Sequence, residues 1–314
     1  MVSEEELLDR YALVGGSDEM IPRLRRVARA FAGNAAVRAE YERETFALFE
    51  KTPGENIEKW TSVPSAELGE DVGAFNMAVA LASVPLVAAT HRRFGLPPEH
   101  LAKTFSWFRA MIDLYARRHN GVTGITHTRT FWFRKHVDGV LFRFGNMEFL
   151  RGPCPDYVPT EFRAALGPDD EVPTFHFPGG PGGLDPERIK ASFAEAVAFW
   201  KRAFGHYPKA FACDSWLFIE QWKELIPDTR IAHAIDLYER LPSLKYNPDE
   251  PSGLFFCYDL ERCDPRDYPV TNSLERAYVT LYERGELPCD GCAWVKVSPT
   301  GVVQWPLHSR QGET

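Results

Sequence analysis

The chain has 314 residues, enough for two domains of ordinary size. Hydrophobic residues make up 44% and charged residues 25%, a globular mixture that excludes a disordered chain. A formal net charge of -8 argues against a general binder of nucleic-acid backbones, which needs clustered Lys and Arg, yet it leaves room for a local site for a small anion.

The amino terminus reads MVSEEELLDRY and lacks the basic and then apolar order of a signal peptide. The most apolar window, Met77 to Thr90, is short for a bilayer span and has charged flanks. The expectation is a cytoplasmic protein with neither nucleic acid nor membrane as a partner. In that compartment Cys154, Cys213, Cys257, Cys263, Cys289 and Cys292 are expected as reduced thiols.

Helix formers dominate residues 3 to 119. Apolar spacings of three and four predict helices over Glu4 to Leu13, Met20 to Ala32, Ala35 to Phe49, Ser65 to Phe94 and Pro97 to Arg118. The character changes near Asn120-Gly121. Phe131, Phe133 and Val137 alternate, which predicts a strand over Thr128 to Val137, with Asp138-Gly139 as a two-residue hairpin turn. The returning strand is VLFRFGNMEFL, in which Gly145 is expected to form a bulge. Residues 151 to 171 form a Pro-rich connection.

Val172 to Pro178 reads as the next strand, followed by a glycine-rich loop to Gly183. Asp185 suits a helix N-cap and Pro186 the first helical position. Ile189, Phe193, Val197, Trp200 and Phe204 make a buried stripe, and Gly205 stops the helix. Further elements are expected as a strand at Lys209 to Leu217, a helix at Ile219 to Leu225, a strand at Leu254 to Tyr258 and a helix at Asn272 to Arg284. A terminal hairpin joins Ala293 to Val297 and Val302 to Trp305. The chain therefore reads as α/β of the α+β kind. A helical domain over 1–125 precedes a mixed-sheet domain over 126–314.

Chemistry concentrates around the loop after the third of these strands. Glycine lets backbone amides approach a ligand closely, and a helix N-terminus adds a positive dipole end, so Phe177, Gly179, Gly180, Gly182, Gly183 and Leu184 are candidates to hold a phosphate or pyrophosphate. No Lys-Ser or Lys-Thr follows, so the loop is not a Walker sequence. Asp185 and Glu187 act against an anion placed too near. His176 ends the strand and is a candidate general base, or else a hydrogen-bonded structural histidine. Glu148 lies in an apolar segment, where burial makes a carboxylate more basic; the alternative is a solvated edge residue. Asp214 and Ser215 are candidates to polarise or orient a substrate. Cys213 is a nucleophile only if a base stands beside it and is more simply core filling. Cys289 and Cys292, with Cys257 and Cys263, offer an alternative zinc set, although the spacing of the upstream pair is unusual.

The order Phe144-Gly-Asn-Met-Glu148, Phe175-His-Phe-Pro-Gly-Gly180, Ser192-Phe193, Cys213-Asp-Ser-Trp-Leu217 and Thr271-Asn-Ser-Leu-Glu-Arg-Ala277 resembles the GNAT-like acyltransferase-domain proteins of bacteria. The resemblance is weak over residues 1 to 125 and better from about 130 to 290. It implies a helical N-terminal domain before a GNAT-like sheet, and transfer of an acyl group from acyl-CoA or acetyl-CoA to an amine or similar nucleophile on a small-molecule acceptor. It places the pyrophosphate on the amides of Gly179 to Leu184. His176 or Glu148 would take the acceptor's proton, and Tyr238 or Tyr258 would serve the leaving thiolate. The alternative is a ligand-binding or regulatory module that keeps the fold without the chemistry.

Overall fold

Helix α1 (Glu4–Leu13) opens where its sequence says it should: Ser3 Oγ accepts the Glu6 amide at 3.1 Å, and three glutamates fill the first turn against the positive helix end. It packs on α2 (Ile21–Gly33), which packs in turn on α3 (Ala35–Phe49). The computed structural model describes residues 2–49, 65–127, 130, 132–178, 184–242, 264–286 and 290–306. The chain divides into two units, Met1–Phe142 and Arg143–Thr314.

In the first unit the long helix expected over 65 to 94 is three pieces: α4 (Ser65–Leu68), α5 (Val72–Leu81) and α6 (Val84–Arg93). Gly69 has φ +52 between the first two. Between the others, Ser83 Oγ donates to Ala80 O at 2.6 Å and Pro85 begins the next helix, so the ladder restarts. By length and composition Gly69–Arg93 is apolar enough to cross a membrane, but 67% of its most apolar window is buried within the protein, as in a core helix. The expected helix over 97 to 118 is likewise split, into α7 (His100–Phe105) and α8 (Phe108–Arg118).

The strand expected over Thr128 to Val137 is not one. Trp132–Val137 is a helix, α9. Its Phe133 stacks between Phe105 and Trp107, with both ring centroids 5.1 Å away. Arg134 donates to Leu48 O and Asp138 Oδ1, each at 2.7 Å. An Arg–Asp pair four apart suits a helix face, and the aromatic packing outweighs a period-2 pattern only a few residues long. Gly139, with φ +71, follows α9 instead of turning a hairpin.

The hairpin exists one step later. Strands β1 (Leu141–Phe144) and β2 (Met147–Leu150) are joined by Gly145-Asn146, so Gly145, with φ +52, is a turn residue and not a bulge. After α10 (Thr160–Ala164) come β3 (Thr174–His176), α11 (Pro186–Phe204), β4 (Ala210–Ser215), α12 (Gln221–Leu225), α13 (Arg230–Ile235) and β5 (Glu239–Leu241). A final helix, Ser273–Glu283, precedes β6 (Gly291–Val297) and β7 (Val303–Gln304). The expected strand at Leu254 to Tyr258 lies outside the described residues. Helices α10 and α13 and strand β5 are too short to show a period in the sequence.

Among the described residues the sheet has seven strands in the order β1-β2-β3-β4-β6-β5, with β7 on β6. Among the described residues only β3 and β4 pair in parallel, with α11 in their crossover; the β2–β3, β4–β6, β5–β6 and β6–β7 pairs are antiparallel. Helix α11 forms as expected. Asp185 Oδ1 accepts the Arg188 amide at 3.1 Å, and Gly205 closes the helix with φ +83. Its Phe193 meets Phe149, Phe175 and Phe211 of three neighbouring strands, with centroids 5.0 to 5.1 Å away. These rings define one face of the sheet. On the other, Ala210, Ala212, Cys292 and Trp294 are covered by Val158, Tyr157 and Phe162 of the Pro-rich connection.

Candidate active site

The site is built where the one parallel pair stops pairing. Lys209 N donates to Glu171 O at 2.8 Å and Ala212 N to Pro173 O at 3.1 Å, and the register pair is Thr174 with Ala212. No β3–β4 register pair follows it among the described residues, although β4 runs on through Cys213 to Ser215. Beyond that point β3 leads through Phe177 into the loop that opens α11. A parallel pair that stops early leaves strand-edge amides and carbonyls available to an extended ligand.

Glu148 and His176 come together here. They are register partners across β2 and β3, so both point to the face opposite the aromatic cluster. The alternation of side chains along β4 puts Asp214 on the same face as Ala212, and so on the same face of the sheet as His176, on the strand from which β3 has by then parted. Thr174, also on that face, is hydrogen-bonded through Oγ1 to His176 Nε2 at 3.1 Å. Burial separates the two candidate bases. Glu148 is 1% exposed, whereas His176 is half-buried at a strand end, so His176 is the more accessible of the two.

Ser215 faces the other way, and its Oγ accepts the Leu217 amide at 3.2 Å, capping the turn Trp216–Phe218. The structure therefore gives Ser215 a capping place and does not bring it to His176. Asp214 stands near Tyr157. Burial, with the charge of Asp214 second, raises the Tyr157 hydroxyl far above its ordinary value. Cys213 is fully buried on the aromatic side. Burial first, then Asp214, pushes its thiol well up, so it is a thiol at neutral pH and no nucleophile.

Phe177 packs on Phe218, with centroids 5.7 Å apart, and Leu184 is half-buried before the Asp185 cap. Gly179, Gly180, Gly182 and Gly183 lie outside the described residues. So does Tyr258. Tyr238 is stacked on Phe175 at 4.9 Å, on the aromatic side and not the side of His176, and burial holds its hydroxyl protonated. Of the alternative zinc set, Cys257, Cys263 and Cys289 are outside the described residues, and Cys292 is buried in β6 across from Asp214. Among the described residues no three His, Cys, Asp or Glu side chains form a metal-ligating group.

Arg143 was not expected at the site. Its guanidinium lies 3.7 Å from Glu148 Oε1 and is itself buried. The sequence carried a signal for it: one charge inside the apolar run Leu141–Phe144, at the same phase as Glu148 in a two-stranded hairpin.

A helical first part followed by a mixed sheet with a parallel strand–helix–strand unit is the architecture of a two-part acyltransferase of the GNAT-like kind. Residues 5–139 match the N-acyltransferase N-terminal domain and residues 141–295 the GNAT-like C-terminal domain, and the chain belongs to this family. Three solved structures are similar in fold, each at 22% sequence identity. The first, an acyltransferase mutant in complex with octanoyl-CoA, has a TM-score of 0.72 over 95% of this chain and 90% of that one. The second, an acyltransferase with decanoyl-CoA and teicoplanin, has a TM-score of 0.71 over 94% and 89%. The third, with CoA and 10C-teicoplanin, has a TM-score of 0.69 over 93% and 88%. No curated protein sequence matches the chain.

Proposed function

We propose that this protein transfers an acyl group from acyl-CoA to an amine, or a similar nucleophile, of a small-molecule acceptor, by direct attack with His176 as general base. The observation that carries the reading is the half-buried His176 at the end of β3, opposite Glu148, where β3–β4 pairing stops and α11 begins. The pantetheine arm runs along the free edge of β4, and the pyrophosphate rests on the loop amides up to Leu184 and the first turn of α11. The acyl-CoA complexes of similar folds support this donor, and the teicoplanin complexes support a small-molecule acceptor.

In the step itself the acceptor nitrogen attacks the thioester carbonyl. The C–N bond forms, the C–S bond breaks and the electron pair leaves with sulphur. The amine proton passes to His176 and then to the CoA thiolate, so the products are an amide and free thiol. No covalent enzyme intermediate is needed, in keeping with the protonated thiol of Cys213. Holding both substrates at one strand end supplies the proximity term.

The test is thiol release from acetyl-, octanoyl- and decanoyl-CoA with a panel of glucosamine, ethanolamine and glycinamide, beside calorimetry with CoA. Release with at least one pair, and loss of CoA binding in Gly180→Trp, is the expected result. Intact CoA binding without thiol release from any pair would favour the ligand-binding module.

A further inference from the structure

Five side chains share one face of the sheet: Arg143 of β1, Glu148 of β2, His176 of β3, Asp214 of β4 and Cys292 of β6. Glu148–His176 and Asp214–Cys292 are register pairs. The two-residue turn Gly145-Asn146 sets Arg143 across from Glu148, which the 3.7 Å ion pair reflects. Arg143 is only 5% exposed, and its Nε and Nη1 make no hydrogen bond within the protein. An apolar residue would fill this strand position more favourably, because a buried guanidinium loses its hydration and regains little from one ion pair beyond hydrogen-bond distance. Such a charge calls for a role other than packing.

We propose that Arg143 is a positioning residue for acyl transfer: its guanidinium holds Glu148 as a carboxylate and so leaves His176 without its proton, ready to act as base. The inference rests on the reading of His176 as the base. A carboxylate buried beside an imidazole draws a proton onto the pair, and an imidazole, ordinarily more basic than a carboxylate, takes it. A guanidinium on the far side of the carboxylate supplies that positive charge permanently. The pair Glu148–His176 then keeps its net negative charge at neutral pH with the imidazole neutral. Among the described residues the other titratable groups on this face of the central strands are Asp214 of β4, with Cys292 of β6 across from it and Tyr157 of the connection near it; Tyr157 is held protonated. Cys213 lies on the opposite face. Asp214 favours the imidazolium, which sharpens the need for a cation on the Glu148 side.

The histidine ring proton signals of the full chain, titrated by NMR with the His176 signal assigned by its loss in His176→Gln, read this directly. Arg143→Met is expected to raise the His176 midpoint by about 1 pH unit, and Glu148→Gln to lower it by about as much, the low end of the shift that a charge within a few ångströms produces. The double variant Arg143→Met/Glu148→Gln is expected to lie within about 0.3 unit of Glu148→Gln, since the guanidinium acts through the carboxylate. An unchanged or lowered midpoint in Arg143→Met overturns the proposal. So does a double variant displaced upward as far as the single one. If Arg143→Met does not fold by circular dichroism, Glu148→Gln and the double variant, which leave no carboxylate without its cation, decide it: an unmoved midpoint in Glu148→Gln overturns the proposal. Thiol release from octanoyl-CoA is measured in parallel with the most active amine of the panel. Full activity in His176→Gln would refute the base reading itself, whereas a His176-dependent reaction with unmoved midpoints would refute only the part given to Arg143.

Discussion

His176 and Cys213 are both reactive side chains near a strand end, and their surroundings give them opposite fates. The imidazole is half-buried, bonded to Thr174 and faced by a carboxylate; the thiol is fully buried beneath aromatic rings with its proton held. His176→Gln should lower kcat/KM for acyl transfer by about 10²- to 10⁴-fold, the usual worth of a positioned base, with the melting temperature unchanged within a few degrees. Cys213→Ala should leave kcat/KM within a few-fold of the parent, and steady-state thiol release measures both. A loss in Cys213→Ala as large as that in His176→Gln would mean a covalent route. Glu148, His176 and Asp214 were legible as candidates because each is a polar side chain on or at the end of an apolar strand. That Glu148 and Asp214 share a face with His176, while Ser215 does not, depends on register, which no residue type announces.

At the scale of elements, the turn between β1 and β2 is tied to α11. Asn146 N donates to Ser192 Oγ at 3.0 Å, and that hydroxyl donates on to Arg188 O at 2.7 Å. Gly145 is left-handed, and a Cβ there would run into Ser192 Oγ. Gly145→Ala should therefore cost about 1–2 kcal/mol from backbone conformation alone, with more from the collision, read as a lowered midpoint in urea unfolding. A midpoint equal to the parent's would show that the turn relaxes freely. The same turn shows why the hairpin was misplaced by one step. Asp138-Gly139 and Gly145-Asn146 both have the composition of a two-residue loop, and the segment before the first was captured as a helix by Phe105, Trp107 and Leu48, contacts separated from it by tens of residues. Helix α11 needed no such contact to be read, because its cap, stripe and stop are all local.

On the scale of the whole molecule, the first unit carries a pH liability. His91 is buried with its ring centroid 5.2 Å from that of His100 and near His136; burial, and then those two neighbours, lower it from 6.5 to about 3. The folded state thus refuses a proton that the unfolded chain accepts. Its contribution to stability is complete above about pH 6.5 and is lost progressively as pH falls toward 3, at about 1.4 kcal/mol per pH unit for this one group. Urea midpoints measured from pH 7.5 to 4.5 should fall on acidification, and His91→Gln should flatten that slope. A slope identical to the parent's would place the acid sensitivity elsewhere.

The sequence by itself determined the helical first part and the mixed sheet behind it, the strand–loop–helix unit with its Asp185 cap and Gly205 stop, and the family through short motifs. Periodicity, capping and glycine are local physics and are written within a few residues. Only the tertiary structure decided that residues 132–137 are a helix, that Ser215 caps a turn, and that a buried guanidinium from β1 stands behind the carboxylate facing His176. Those outcomes hang on strand register and long-range packing. A shift of one residue in register would turn Glu148 onto the aromatic face and leave Arg143 with no partner there.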